Sequence, residues 1–317
     1  MNRTALSKRL QLEIESPMGA AQWLKQFDDH LSRVQGLALS SRRNYCFFVG
    51  RFLASYCGTA APDWSSLRGE DLAIFVHREA SRLKRHARGG PATAIRALLR
   101  YLVFVGAIRV GLEAAIPQIP RWKHAALPRY LSAAEVERVL ASVSDDTPKA
   151  RRDHAILLLL ARTGMRAVEV AQLKLDDIDW REGNLWIRSG KSRRERRLPL
   201  VQDVGAALCA YLEHGRAPCP SRTVFLRVLS PFDPLHDSAA VCKIARRALT
   251  RAGIINSPAA AHLFRHSSAT RMIRSGASFK EIADVLGHAS LKTTAIYAKL
   301  DLAALSLVSL PWPENAP

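Results

Sequence analysis

The sequence contains little that would suit a secreted, membrane-bound or metal-stabilised protein. Its five cysteines, at positions 46, 57, 209, 219 and 242, show no CxxC spacing, which argues against a disulfide framework and a structural zinc site. The longest apolar run, residues 155–161, is too short to cross a bilayer, and the first residues include no apolar segment of signal-peptide length. We therefore expect a cytoplasmic protein with no membrane partner.

Acidic residues are scarce relative to basic ones. Asp and Glu number 28 against 47 Lys and Arg, so the formal net charge is +19. A surplus of this size in a globular chain that is 48% hydrophobic favours a polyanionic partner, with nucleic acid first. The alternative is a basic protein without such a partner. The 317 residues exceed what one compact core usually needs, which predicts two domains.

Helical periodicity dominates the first part of the chain. Apolar residues recur every three or four positions in residues 21–39, 40–56, 65–83 and 91–105, a pattern that predicts four amphipathic helices. Prolines then punctuate residues 117–128 and disfavour helix there. We predict a leader (1–19), a helical domain (20–116), a linker (117–129), a second domain (130–301) and a C-terminal tail (302–317).

The second domain combines helices with one hairpin. A capping box at Ser132 and Glu135 begins the first helix, and further helices are predicted at 153–162, 165–175, 241–252, 260–275, 279–286 and 291–300. Residues 184–189 and 197–200 alternate like paired strands, which would place Lys191 in the turn between them. The predicted fold class is mainly α with a small antiparallel β-sheet (α+β).

Charged side chains in apolar surroundings are the first candidate site residues. Arg166 follows the predicted helix stop at Gly164, and an arginine near a core needs an anion. A simple ion pair with Glu169, at i+3, is the alternative. His262, Arg265 and His266 share one helix face, which suits phosphate or a metal. A zinc site through the two histidines would lack the glutamate base of a metalloprotease.

The remaining candidates carry weaker signals when taken singly. His288 follows a glycine helix stop and resembles a cap, whereas Tyr297 resembles a half-buried core residue. A basic run beside Lys191 is either a solvated hairpin face or a contact to a nucleic-acid backbone, and we favour the contact. The run comprises Arg193, Arg194, Arg196 and Arg197.

Taken together, the motifs resemble the tyrosine recombinase (phage integrase) family, and are most similar to its Xer-like simple integrases. The matching segments are Arg162-Thr-Gly-Met-Arg166-Ala-Val-Glu169, Gly190-Lys191, His262-Leu-Phe-Arg265-His266, and Leu286-Gly-His288 through Tyr297. Residues 27–45 resemble the family's helical core-binding domain. Met165 and Phe264 stand where leucine is commoner, which affects packing. The resemblance implies a short enzyme without a separate arm-binding domain.

The resemblance implies a role for each candidate residue. Tyr297 would attack a DNA phosphate and form a 3′-phosphotyrosyl intermediate, while Arg166 and Arg265 hold the phosphate oxygens. Lys191 would protonate the leaving 5′-oxygen, His262 would assist proton transfer at the tyrosine, and His288 would hydrogen-bond the phosphate. Glu169 would orient this machinery. Neither a cofactor nor a metal ion is expected.

The same resemblance implies partners and a biological task. The partner would be double-stranded DNA recombination sites, bound by a homotetramer that synapses them, alone or with related recombinases. The task would be integration, excision or transposition of a mobile element, or resolution of DNA dimers. A DNA-binding regulator without activity and a type IB topoisomerase are the alternatives. The apolar tail would pack on its own domain or on a neighbouring protomer.

Overall fold

The computed structural model describes residues 18–85, 87–119, 129–143, 146–188, 195–235, 237–254, 260–288, 294 and 296–297. The chain divides into two compact units, Met1–Ala125 and Ala126–Pro317. This division falls inside the proline-punctuated segment 117–129. Within the described ranges, no helix combines the length and the apolar character that crossing a membrane requires.

The described part of the first unit contains four α-helices: α1 (Ala20–Arg33), α2 (Leu39–Tyr56), α3 (Gly69–Ser81) and α4 (Gly89–Phe104). Their apolar faces bury one core, to which Phe27, Phe52 and Leu98 belong. Helix α1 ends at Arg33, before the predicted end at residue 39. The chain turns at Gly36, whose φ of +60° lies in the left-handed region. The predicted end was too late because the apolar periodicity of the sequence continues beyond the last helical residue.

The helices of the second unit begin and end largely at the predicted signals. Ser132 and Glu135 form the expected capping box, and Gly164 ends the third helical segment with a φ of +66°. Helix α6 begins earlier than predicted because Thr147 caps it. The helices among the described residues are α5 (Ala133–Ala141), α6 (Pro148–Leu158) with a π-helical turn (Leu159–Thr163), α7 (Ala167–Ala171), α8 (Gln202–His214), α9 (Ser238–Arg251), α10 (Ala260–Arg274) and α11 (Phe279–Leu286).

A three-stranded antiparallel sheet packs within the second unit, in the order β1 (Ile178–Asp179), β2 (Asn184–Ile187) and β3 (Arg196–Pro199). The hairpin pairs Leu185 with Leu198 and Trp186 with Arg197. Leu185 and Leu198 are buried in the core, whereas Arg197 is exposed. The predicted mainly α fold with a small antiparallel sheet is confirmed.

Strand β1 and helix α8 of the second unit were not predicted from the sequence. Strand β1 has two residues, too few to show alternation. Helix α8 buries Val204, Leu208 and Tyr211, whose spacing of three and four residues does carry a helical signal. The predicted helix 291–300 lies outside the described residues except for residues 294, 296 and 297.

Candidate active site

Two helix ends that carry left-handed glycines lie against each other. Gly164 has a φ of +66° and Gly287, which ends α11, has a φ of +61°. A Cβ at Gly164 would lie 2.8 Å from Cδ2 of Leu286, and one at Gly287 would lie 2.7 Å from Nη1 of Arg196. Glycine therefore satisfies both the backbone conformation and the close packing here. The two ends turn their free carbonyl groups toward a cluster of arginines.

Arg166 occupies the N-cap of α7, beside both ends. Its Nη1 donates to Oε1 of Glu169 (2.8 Å) and its Nη2 donates to the carbonyl of Gly287 (2.8 Å). Its backbone N–H donates to Oε2 of Glu169 (2.8 Å). The ion pair with Glu169 is thus present, but 26% of the Arg166 side chain remains exposed. The guanidinium is therefore held by Glu169 and Gly287 while part of the side chain stays accessible.

Arg196 is the second arginine of the cluster, and its position differs from the expected contact to a nucleic-acid backbone. Only 7% of its side chain is exposed. Its Nη2 and Nη1 donate to the two oxygens of Glu169 (2.8 and 3.1 Å), and its Nε donates to the carbonyl of Val285 (2.7 Å). Arg196 is therefore committed to internal contacts, and it ties β3 to α7 and to the end of α11.

Glu169 is the carboxylate on which two arginines converge. Burial alone would raise the pKa of Glu169, but hydrogen bonds and charge from Arg196, together with Arg166, hold that pKa below its usual value. The carboxylate stays ionised near neutral pH. Glu169 therefore joins Arg166 to Arg196, and its expected role in orienting the machinery stays a prediction.

Arg265 is the most deeply placed cation of the cluster, with 5% of the residue exposed. Its Nη1 donates to the carbonyl of Gly164 (2.8 Å) and its Nη2 to the carbonyl of Leu286 (2.5 Å). Within the described ranges no carboxylate pairs with it. Burial, together with the positive charge of Arg166, lowers the pKa of Arg265 to about 9, so the guanidinium is still charged near neutral pH. A buried cation with only carbonyl partners favours an anionic ligand.

Tyr297 lies beside Arg265 and contacts a histidine. Its hydroxyl is 2.8 Å from Nδ1 of His266, and the two rings meet edge to face with centroids 5.5 Å apart. Tyr297 is 1% exposed and packs in a small apolar cluster with α10 and α11. Burial raises the pKa of Tyr297 to about 12, against a smaller opposing effect of the positive charge on Arg265.

The two histidines with predicted catalytic roles, His262 and His288, occupy different environments. His288 is buried, its Nδ1 lies 2.7 Å from Oγ1 of Thr294, and its ring is nearly parallel to that of Tyr297. Burial and the charges of nearby arginines lower the pKa of His288 to about 4. His262 is exposed on α10. Partial desolvation, then Arg265 and Arg166, lower its pKa as well.

Arg197 of the predicted basic hairpin lies at the surface. Its guanidinium carbon lies 3.9 Å from the centre of the Trp186 ring. Stacking of this kind holds the charge at the surface, where a phosphate can reach it. Lys191, Arg193 and Arg194 fall outside the described residues. Across the described ranges there is no group of three or more His, Cys, Asp or Glu that could hold a metal ion.

His266 is the contact that sequence reasoning missed. The spacing places it on one face with His262 and Arg265, for which phosphate or metal binding was considered, but its contact with Tyr297 was not predicted. Its pairing with Tyr297 joins positions 31 residues apart, which no local pattern reveals. The π-helical turn before Gly164 was also missed. Such turns often lie at functional sites, but the local apolar sequence does not distinguish one from an ordinary helix.

Comparison with known proteins assigns this arrangement to a family. The family model described as the phage integrase family matches residues 129–303, a range that contains every candidate site residue. The chain is 38% identical over 315 residues to the putative integrase/recombinase y4rA of Sinorhizobium fredii, covering 99% of this chain and 76% of the relative. It is 30% identical over 283 residues to tyrosine recombinase XerA of Pyrococcus furiosus, covering 87% and 89%.

The chain belongs to the phage integrase family.

Solved structures agree with this assignment at the level of the fold. The XerH site-specific recombinase, crystallised with its difH substrate after cleavage, superposes with a TM-score of 0.71 at 22% identity, covering 92% of this chain and 85% of that one. Lambda integrase bound to a core site gives a TM-score of 0.68 at 18% identity, covering 94% and 99%. This phage integrase family member is a tyrosine-type site-specific recombinase, as predicted from its motifs.

Proposed function

We propose that Arg166 and Arg265 bind the scissile phosphate of a DNA strand and that Tyr297 attacks it. The observation that carries this proposal is the buried charge of Arg265, whose hydrogen-bond partners among the described residues are carbonyl groups. A phosphate oxygen would supply the missing negative charge. Arg166, whose side chain is 26% exposed, would hold a second oxygen of the same phosphate.

The proposed reaction exchanges one phosphodiester for another. The Tyr297 oxygen forms a bond to phosphorus, the bond to the 5′-oxygen breaks, and that oxygen takes a proton from Lys191. The 3′-phosphotyrosyl link conserves the energy of the original bond, so the 5′-hydroxyl of a second strand can reverse the step. No nucleotide cofactor is needed for this exchange.

Supporting roles follow from where each side chain lies. Glu169 and Arg196 form an internal ion pair that orients Arg166 and would act as positioning residues. His288 is neutral near pH 7 because its pKa is about 4, and its Nδ1 lies within hydrogen-bond distance of Thr294. It would donate a hydrogen bond to the phosphate. His262 was expected to assist proton transfer at the tyrosine. We now propose that it binds a phosphate oxygen, because the contact to the tyrosine hydroxyl is made by His266.

The substrate and assembly are proposed from the protein's charge and from its relatives. The net charge of +19 suits duplex DNA, and Lys191, Arg193, Arg194 and Arg197 would contact its backbone. XerH is solved on its DNA substrate, and lambda integrase is solved as a tetramer on a Holliday junction. We propose that this chain likewise acts as a tetramer on synapsed sites, in the cytoplasm. The relatives named integrase/recombinase favour service to a mobile element.

Tyr297 must become accessible for this reaction to occur. Because the residue is 1% exposed, a phosphate reaches its oxygen only after part of its covering moves. We propose that DNA binding uncovers the tyrosine, which would keep the nucleophile from reacting before a site is engaged.

The experiment compares the full chain with Tyr297→Phe. Duplexes that bind the chain are selected from a randomised library, and the selected duplex is then prepared as a panel with a single nick at successive positions. Loss of the short fragment beyond the nick traps the covalent adduct. The native chain should form the adduct, whereas Tyr297→Phe should bind the duplex equally well and form none. A persistent adduct in the variant would assign the nucleophile to another residue.

Two further assays separate the alternative functions. A supercoil-relaxation assay beside a two-site recombination assay distinguishes a topoisomerase from a recombinase, because only the recombinase joins strands of different sites. A regulator without activity would bind the selected duplex and form no adduct with any nick position.

A further inference from the structure

The histidine that contacts the tyrosine hydroxyl is His266, which follows Arg265 directly. Its Nδ1 lies 2.8 Å from the Tyr297 oxygen, within hydrogen-bond distance. His262, one turn earlier, makes no hydrogen bond to Tyr297 in the described structure, and its ring centroid is 6.4 Å from that of His266. The two histidines of this helix face are therefore not equivalent with respect to the tyrosine.

We infer that His266 accepts the hydroxyl proton of Tyr297 as the tyrosine attacks phosphorus, and returns that proton when the strands are rejoined. The inference rests on the proposed function, because it requires Tyr297 to be the nucleophile. As the Oη–phosphorus bond forms, the Tyr297 proton moves to Nδ1. The bond from phosphorus to the 5′-oxygen breaks, and that oxygen receives a separate proton from Lys191.

A proton acceptor is needed because the buried phenol ionises poorly. Burial raises the pKa of Tyr297 to about 12, so on the order of 1 molecule in 10⁵ carries phenolate at neutral pH. A neutral base at 2.8 Å removes the need to form free phenolate before attack. Tyrosine is therefore a suitable nucleophile here only if its neighbour takes the proton during the reaction.

The surroundings of His266 keep it neutral before DNA binds. Burial first, then the positive charges of His262 and Arg265 on its own helix, lower the pKa of His266 to about 4. From the following segment, Tyr297 and His288 face it. A phosphate bound at Arg265 would bring negative charge into this group and raise the pKa of His266. The base would thus gain strength only when the substrate is in place.

The test uses His266→Gln in the full chain, measured on the selected nicked duplex at saturating protein. Glutamine retains a hydrogen-bonding group near the tyrosine but cannot accept a proton. Cleavage should slow by about 10²–10⁴-fold, with duplex affinity unchanged. Because the pKa of Tyr297 lies above the assay range, the variant's rate should rise roughly tenfold per pH unit between about pH 6 and 9. The native rate should rise much less steeply.

A second measurement distinguishes a loss of proton transfer from a loss of folding. Placing 3,5-difluorotyrosine at position 297 makes the phenol more acidic and should restore most of the rate lost in His266→Gln. If that variant unfolds, as judged by circular dichroism, His266→Asn undergoes the same two measurements. A defect that is the same at every pH and with the fluorinated residue would overturn the inference. Faster cleavage would also overturn it, by identifying His266 as a restraint on Tyr297.

The failure of this inference can be told apart from failure of the proposed function. If Tyr297→Phe still forms the covalent adduct, the nucleophile has been assigned wrongly and the proposed function fails. If Tyr297→Phe forms no adduct while His266→Gln cleaves at the native rate, only the role of His266 fails.

Discussion

Replacing the adjacent arginines Arg196 and Arg197 should affect different properties. The first replacement should mainly lower stability, and the second should mainly weaken DNA binding. Arg196 is buried and bonded to Glu169 and Val285, whereas Arg197 is exposed on the Trp186 ring. Arg196→Ala leaves Glu169 buried with one guanidinium fewer, and breaking a buried pair costs about 3–5 kcal/mol. Arg197→Ala removes a surface charge and a cation–π contact, worth about 0.5–1 kcal/mol.

Calorimetry of the full chain provides the stability measurement. For a unit of this size a loss of about 3–5 kcal/mol lowers Tm by roughly 6–20 °C, and Arg197→Ala should lower Tm by less than about 4 °C. For DNA binding, the larger effect should come from Arg197→Ala. Arg197→Ala should weaken binding to all duplexes and reduce the salt slope by about 1, while folded Arg196→Ala should keep the native slope. A reduced slope in Arg196→Ala with native Tm would refute the internal role of Arg196.

The pH dependence of stability tests whether the ion pair between Arg196 and Glu169 causes the expected loss of stability. The pKa of Glu169 is depressed in the folded protein, so its ion pair contributes stability that is fully present above the usual value of 4.5 and is lost as pH falls through the folded pKa. The difference in stability between the native chain and Arg196→Ala should therefore be constant near neutral pH and shrink below pH 4.5. A difference that persists unchanged in acid would point to packing instead of the carboxylate.

Three other changes test separate parts of the site. Gly287→Ala should destabilise more than Gly183→Ala, because both need a left-handed backbone at about 1–2 kcal/mol but only the Cβ at 287 meets Arg196, at 2.7 Å; equal losses of Tm would contradict the clash. Chelation with EDTA should leave cleavage unchanged, and loss of cleavage that added zinc or magnesium restores would contradict the proposed arginine-held phosphate. Lys191→Ala should slow cleavage of an ordinary phosphodiester by about 10²–10⁴-fold, and a 5′-bridging sulfur should recover most of the loss because a thiolate leaves without a proton; equal defects on both substrates would remove Lys191 from the acid role.

The sequence predicts those parts of the fold that depend on local chemistry. The capping box at Ser132 and the stop at Gly164 lie at the predicted positions, because each depends on residues within one helical turn. The end of α1 was misplaced because apolar periodicity runs on past Arg33 into the turn at Gly36. The short strand β1 forms only through pairing with β2 and leaves no pattern of its own.

The site is less accessible to sequence reasoning because its contacts join distant segments. The i+3 pair of Arg166 and Glu169 was available from local spacing. By contrast, the burial of Arg196 depends on Val285 and Glu169, from two other elements. The basic run around it gave no sign that one of its arginines turns inward. The contact of His266 with Tyr297 likewise required the folded chain.

On the proposed mechanism, the charge balance of the described site would favour the transition state of phosphoryl transfer over the bound phosphodiester. Arg166, Arg196 and Arg265 contribute three positive charges, and Glu169 returns one negative charge. His266 and His288 add none near neutral pH, since the pKa of each is about 4. A phosphodiester carries one negative charge, and more develops on its oxygens as the tyrosine attacks. A fixed surplus of two positive charges therefore matches the transition state more closely than the bound substrate, which is the condition for accelerating the step.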